Sequence, residues 1–157
     1  MHRRHAVVVL IALVLPRLVA AQASPLVGVW ILDVPASSST GGMPDASTLT
    51  ISESTPGTLK FEIQDTFDGR PQPPYAFLSG PAGSEVAVSP PTFIDSVATT
   101  RREQRFSSLV LKKAGTVVSE MSTELSDDGS TLTVKSKATA PNGDTVSGTS
   151  HYRRSRS

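Results

Sequence analysis

Beyond residue 5 the chain has one imidazole, His151, and it directly follows Ser150, so any hydrolytic site would have to begin there. Hydrolysis of that kind needs a base held between a nucleophile and an orienting carboxylate. Neighbours on a strand point to opposite faces, so Ser150 and His151 cannot address the same atom, and His151 reads as a surface residue. Asp65 and Asp68 could form the carboxylate pair of a glycosidase. Their place at a strand end and in a turn makes them solvated loop residues instead. Asp127 and Asp128 precede Gly129 as in a calcium loop, but such loops spread oxygen ligands over about a dozen residues, so a hairpin turn is the reading. The sequence has no cysteine, and one histidine does not make a zinc or copper set. No catalytic residue, metal ligand or cofactor is therefore assigned, and the chain does not read as an enzyme.

Charge narrows the partners. Without residues 1–23, which carry Arg3, Arg4 and Arg17, the fifteen basic residues fall to twelve against fourteen acidic ones, a net charge of −2. Nucleic acids and anionic membranes both demand a concentrated positive field, which this balance does not supply. The local clusters Arg101, Arg102 and Arg105, Lys112 and Lys113, and Arg153, Arg154 and Arg156 read as solvated surface.

Residues 1–23 read as an export signal: His2 to His5 form a basic start, Ala6 to Leu15 an apolar run, and Ala20, Ala21 and Ala23 a small-residue cleavage region. The apolar run stops at Pro16 and Arg17, well short of the roughly twenty residues a spanning helix needs. Cleavage after Ala21 or after Ala23 fits equally, and no membrane anchor is expected. The protein would then be periplasmic or secreted, and without disulfides its core alone would hold it together. The remaining length, roughly 135 residues, suits one domain over 24–153 with a basic tail at 154–157.

Past the signal the hydrophobic period is two. Leu59, Phe61 and Ile63 alternate with Lys60, Glu62 and Gln64, and the same rhythm recurs at Leu49 and Ile51 and at Leu132 and Val134. Turn signals separate the segments at Pro56-Gly57, Asp68-Gly69, Ala114-Gly115, Asp128-Gly129 and Asn142-Gly143, so consecutive strands should be antiparallel neighbours. Ten strands are predicted: 26–34, 48–53, 58–66, 74–79, 85–88, 93–100, 105–113, 116–125, 131–139 and 144–153. The serine- and glycine-rich stretch from Pro35 to Ala46 reads as a flexible crossing, with a lid over a cavity mouth as the alternative.

A meander of about eight to ten strands exposes two edges unless the first and last strands meet, and closure into an all-β, up-and-down antiparallel barrel removes them. A β-sandwich is the competing fold. Both faces of the first strand are apolar, Leu26, Trp30, Leu32 and Val34 against Val27, Val29 and Ile31, which predicts cover on both sides. Gly28 and Gly148 mark places where a barrel bends or backbones approach closely.

Gly28-Val29-Trp30, followed by Ile31-Leu32-Asp33 and a serine-rich loop, resembles the glycine-x-tryptophan start of lipocalin-like, calycin-type barrels. The resemblance extends along residues 24–153, including the hairpin Ser126 to Val134, to small exported bacterial proteins whose roles are mostly unassigned. It implies that Trp30 packs at a closed end beneath a basic side chain of the last strand, Arg153 or Arg154, with Arg154 favoured by parity. The sequence departs from lipocalins in having no disulfide and no helix after the barrel.

Strand parity nominates an interior of Leu59, Phe61, Ile63, Phe106, Met121, Leu132, Val134 and Tyr152, interleaved with the small residues Ser108, Ser119, Ser136, Ala138, Gly148 and Ser150. An eight-stranded barrel is just wide enough to be filled by side chains or to admit one small ligand. Phe61, Phe106, Met121 and Tyr152 are the candidate ligand contacts, and Gly28, Trp30, Arg153 and Arg154 the closure residues. The expected partner is one small apolar or amphipathic molecule held by a monomer. The alternative role is an envelope interaction module with a filled core.

Overall fold

The structure, a computed structural model, describes residues 23–140 and 142–156. The proposed export signal lies outside these residues up to position 22. The strands are β1 Gly28–Leu32, β2 Ser38–Ser39, β3 Ala46–Thr55, β4 Thr58–Phe67, β5 Arg70–Pro71, β6 Tyr75–Ser79, β7 Glu85–Ala87, β8 Ser96–Arg102, β9 Phe106–Lys113, β10 Thr116–Leu125, β11 Thr131–Thr139 and β12 Thr145–Arg154. Setting aside the two-residue β2 and β5, the ten others lie where the alternation predicts strands.

One antiparallel sheet runs in the order β4-β3-β1-β12-β11-β10-β9-β8-β7, with β6 on the outer side of β4. Each neighbour in this path except the β1–β12 pair is also the next long strand in the chain, which is an up-and-down meander. The β1–β12 pair, with Trp30 opposite Arg154 and Leu32 opposite Tyr152, joins the two ends of the chain and excludes a sandwich. Tight turns make the meander possible. At Ala114 and Gly115 both central residues have positive φ, 49° and 76°, the conformation that matches the twist of a two-residue hairpin.

The ladder is interrupted at one place, between β6 and the β7–β8 hairpin. There the hydroxyls of Ser79 and Thr99 meet at 2.8 Å. Arg102 reaches across to the Ser79 hydroxyl and donates to the Ser79 and Gly80 carbonyls. Arg102 is thus half-buried and bridges the gap, whereas Arg101 beside it is exposed. Arg101 pairs with Glu103 at 2.5 Å, Lys112 with Glu85 at 2.7 Å, and Arg105, which also donates to the Leu125 carbonyl, with Asp127 at 2.5 Å.

Trp30 and Leu26 are fully buried at the closed end. The indole Nε1 donates to the Leu26 carbonyl at 3.0 Å, and the Arg154 guanidinium carbon sits 4.1 Å from the ring centroid. Arg154 also donates to the carbonyls of Pro25, Val27 and Gly129 at 2.8, 2.9 and 3.1 Å. The N-terminal segment is thereby folded across the barrel end as a plug. Gly28 is needed here for room, because a Cβ at this position would lie 2.5 Å from the Arg154 Nη1. The other closure candidate, Arg153, points outward and donates to Asp33 at 2.8 Å. Arg154 belongs to β12, so the strand runs one residue past the predicted 153 and the basic tail is shorter than 154–157.

Two further expectations are corrected. The outer face of β1 is not covered: Val29 and Ile31 are 41% and 44% exposed. Their branched side chains fit a pleated strand whether or not anything packs on them, so apolar character on both faces overstated burial. The stretch from Pro35 to Ala46 is not a free crossing. Ser38 and Ser39 form a ladder with Thr149 and Gly148, the Ser37 hydroxyl accepts from the His151 amide at 2.9 Å, and Met43 packs against the core. Short serine side chains and the missing Cβ of Gly148 allow this close docking, since a Cβ on Gly148 would meet the Ser38 carbonyl at 3.1 Å.

Candidate functional site

Inward-facing residues divide the barrel into two halves. On β1, β3, β4, β8 and β9 they are large and buried, among them Trp30, Leu49, Ile51, Leu59, Phe61, Val97, Leu109 and Leu111. Phe61 stacks on its register partner Phe77 of β6, with centroids 5.2 Å apart and planes 9° from parallel. On β10, β11 and β12 the inward positions pair as Ser119 with Ala138, Met121 with Ser136, Val134 with Ser150 and Ala138 with Val146. Most of these side chains are small, and space is left between them and the opposite wall. Ser136 is exposed although it faces inward, because the space in front of it is empty.

That space is a cavity of about 560 Å3 bounded by both walls. Its size lies within the roughly 300–1,000 Å3 typical of small-molecule sites. Leu49, Phe61, Ile63, Phe77, Met121 and Val134 supply apolar surface. Pro44 and Phe93 line it from two loops, and Phe93 is 56% exposed, which places it at the rim. Tyr75 holds the Phe93 ring edge-on at 5.4 Å.

The cavity has a polar corner where β3, β4, β6 and β12 converge. Ser47 and Asp65 are register partners on β3 and β4, Tyr75 follows at the start of β6 opposite Ile63, and the Tyr152 hydroxyl lies 3.4 Å from the Ser47 hydroxyl. Burial pushes the Tyr75 phenol well above the ordinary tyrosine value, and the nearby Asp65 charge raises it further. Burial likewise raises Tyr152, opposed by its contact with Ser47. Both phenols therefore stay protonated and able to donate.

Of the candidate contacts, Phe61, Met121 and Tyr152 line the cavity together. Phe106 does not. It lies on the outer face of β9, where the Arg101 guanidinium covers its ring at 4.8 Å. The inward set on β9 is Ser107, Leu109 and Leu111, all buried; the two leucines outweigh one aromatic in fixing which face is core. Ser108 turns outward with Phe106. Asp65 is also corrected, since it lines the cavity and is not a solvated loop residue. The signal was present, because Leu59, Phe61, Ile63 and Asp65 continue one parity without a break. His151 faces outward, its Nδ1 3.2 Å from the Thr133 hydroxyl. Asp68 sits in an exposed turn, and the Asp128 carboxylate is occupied by the hydroxyls of Ser126 and Ser130, which hold it down at about 2.

Neither a family model nor a curated protein matches the chain in sequence. Solved structures match it in shape. The fluorescent protein UnaG aligns with a TM-score of 0.55 at 16% identity, over 83% of this chain and 97% of that one. The zebrafish ileal bile acid-binding protein, solved in complex with cholic acid, aligns with a TM-score of 0.53 at 14% identity, over 84% of this chain and all of that one, 100%. These likenesses show the fold alone: an antiparallel, up-and-down β-barrel.

Proposed function

We propose that this protein is an exported, monomeric binding protein that holds one small apolar or amphipathic molecule inside its barrel without changing it. The observation that carries the reading is the cavity of about 560 Å3 between the large residues of β3, β4 and β6 and the small residues of β10 to β12. A filled core, which the interaction-module alternative requires, is not consistent with that void. The bile acid-binding protein of the same fold, solved with cholic acid, supports the general mode. The polar corner of the cavity holds Asp65, Ser47, Tyr75 and Tyr152 but no imidazole, the single described histidine being on the outside.

Native mass spectrometry of protein purified without detergent tests the reading. A small molecule that stays bound and is released by denaturing solvent is expected, or uptake of the neutral dye Nile red by protein isolated empty. An empty mass together with no dye uptake would show that the interior does not accept ligands. Export is tested by the N-terminus of the accumulated protein. It should begin at Gln22 or Ser24 and be found outside the cytoplasm; a cytoplasmic chain retaining Met1 would overturn that part.

A further inference from the structure

The polar corner is the part of the cavity that would meet a ligand's polar head. Asp65 is the one charged residue among those lining the cavity, and none of the described lining residues is basic. Among the described residues its carboxylate makes neither an ion pair nor a side-chain hydrogen bond; its backbone carbonyl accepts from the Gln72 amide at 2.8 Å and from the Gln64 side chain at 3.5 Å. Strand parity fixes its direction, since it shares a face with Phe61 and Ile63 and stands opposite buried Ser47. Two neutral phenols, Tyr75 and Tyr152, share the corner.

We propose that the cavity selects an amphiphile with a protonated amine head, which Asp65 accepts while Tyr75 and Tyr152 flank it and the apolar body lies along Phe61, Phe77 and Met121. The inference rests on the binding function above and specifies its ligand. Its physical basis is an asymmetry of charge. An ammonium brought to Asp65 gains an opposite charge in partly desolvated surroundings, while a carboxylate there meets a like charge with no cation to offset it. Discrimination thus comes as much from rejecting anions as from attracting cations.

The test is competition for bound Nile red by three amphiphiles with one chain length, dodecylammonium, dodecanol and dodecanoate, each below its micelle-forming concentration. Dodecylammonium should displace the dye at least about tenfold more effectively than dodecanoate, equivalent to about 1.4 kcal/mol, with dodecanol between them. Asp65→Asn should bring dodecylammonium to the level of dodecanol, and Asp65→Glu should keep the preference. The parent protein alone can overturn the proposal, by binding dodecanoate as well as dodecylammonium. An unchanged ratio in folded Asp65→Asn would also overturn it. If dodecanol competes but head charge has no effect, only the selectivity fails. If the dye and all three amphiphiles are refused, the cavity reading fails and takes the selectivity with it.

Discussion

Arg154 covers Trp30 from the neighbouring strand, guanidinium carbon to ring centroid 4.1 Å, so the first and last strands are joined by a stacked pair as well as by a ladder. The same guanidinium binds three carbonyls from the N-terminal plug and the Ser126–Ser130 hairpin region. One side chain therefore organises the whole closed end.

Removing either partner should destabilise the fold with the cavity left intact. Trp30→Ala is expected to lower stability by about 3–5 kcal/mol, the range for a large buried aromatic. Arg154→Lys keeps the charge but loses the planar fork and the stack, and should lower stability by about 2–3 kcal/mol. Urea unfolding followed by the single tryptophan reads Arg154→Lys, and circular dichroism reads Trp30→Ala. Changes within about 0.5 kcal/mol, the scatter of ordinary surface substitutions, would mean that the closed end does not hold the barrel.

The chain has two tyrosines, and both line the cavity. Their phenols are raised above the ordinary value near 10. For an acid with a raised folded value, the unfolded state releases the proton first. Stability is therefore unaffected below about pH 10 and falls as pH rises beyond it. Tyrosinate absorbance should appear only together with unfolding of the barrel. A reversible titration near pH 10 in the folded protein would place both rings in water.

Filling the void should abolish uptake without unfolding the protein. Ala138 faces the cavity between Ser119 and Val146, and Ala138→Phe puts a ring into the free space. Nile red binding should be lost while the melting temperature is held or raised. Phe106→Ala is the control, because that ring lies outside under Arg101, and dye binding should be unchanged. The opposite pattern would move the site from the interior of the barrel to its outer face.

Most of the architecture was legible because period-two alternation and Gly-containing turns are local signals. They located ten strands, and the edge problem of a long meander implied that β1 meets β12. Parity also sorted Phe61, Met121 and Tyr152 inward. It failed at β9, where Phe106, Ser108 and Val110 compete with Ser107, Leu109 and Leu111 and only the surrounding sheet decides between the two faces. Asp65 escapes the sequence reading for a different reason. Charge near a predicted strand end argues for solvent, but β4 continues to Phe67 and carries the carboxylate into the cavity wall. The docking of Ser38 and Ser39 on β12 could not be seen either, since it depends on a partner far along the chain and on the absent side chain of Gly148.

The plug and the end of β12 meet so closely, Arg154 on the Pro25 carbonyl and the Ser155 amide on the Val29 carbonyl at 2.8 Å each, that residues 24–155 almost close into a ring already. A short glycine-serine bridge from Ser155 to Ser24, with the chain cut between Ala114 and Gly115 at the far side, should give a circularly permuted protein that folds and binds as before. Failure of that permutant to fold would mean that assembly depends on the order in which the hairpins are made, and not only on where they finish.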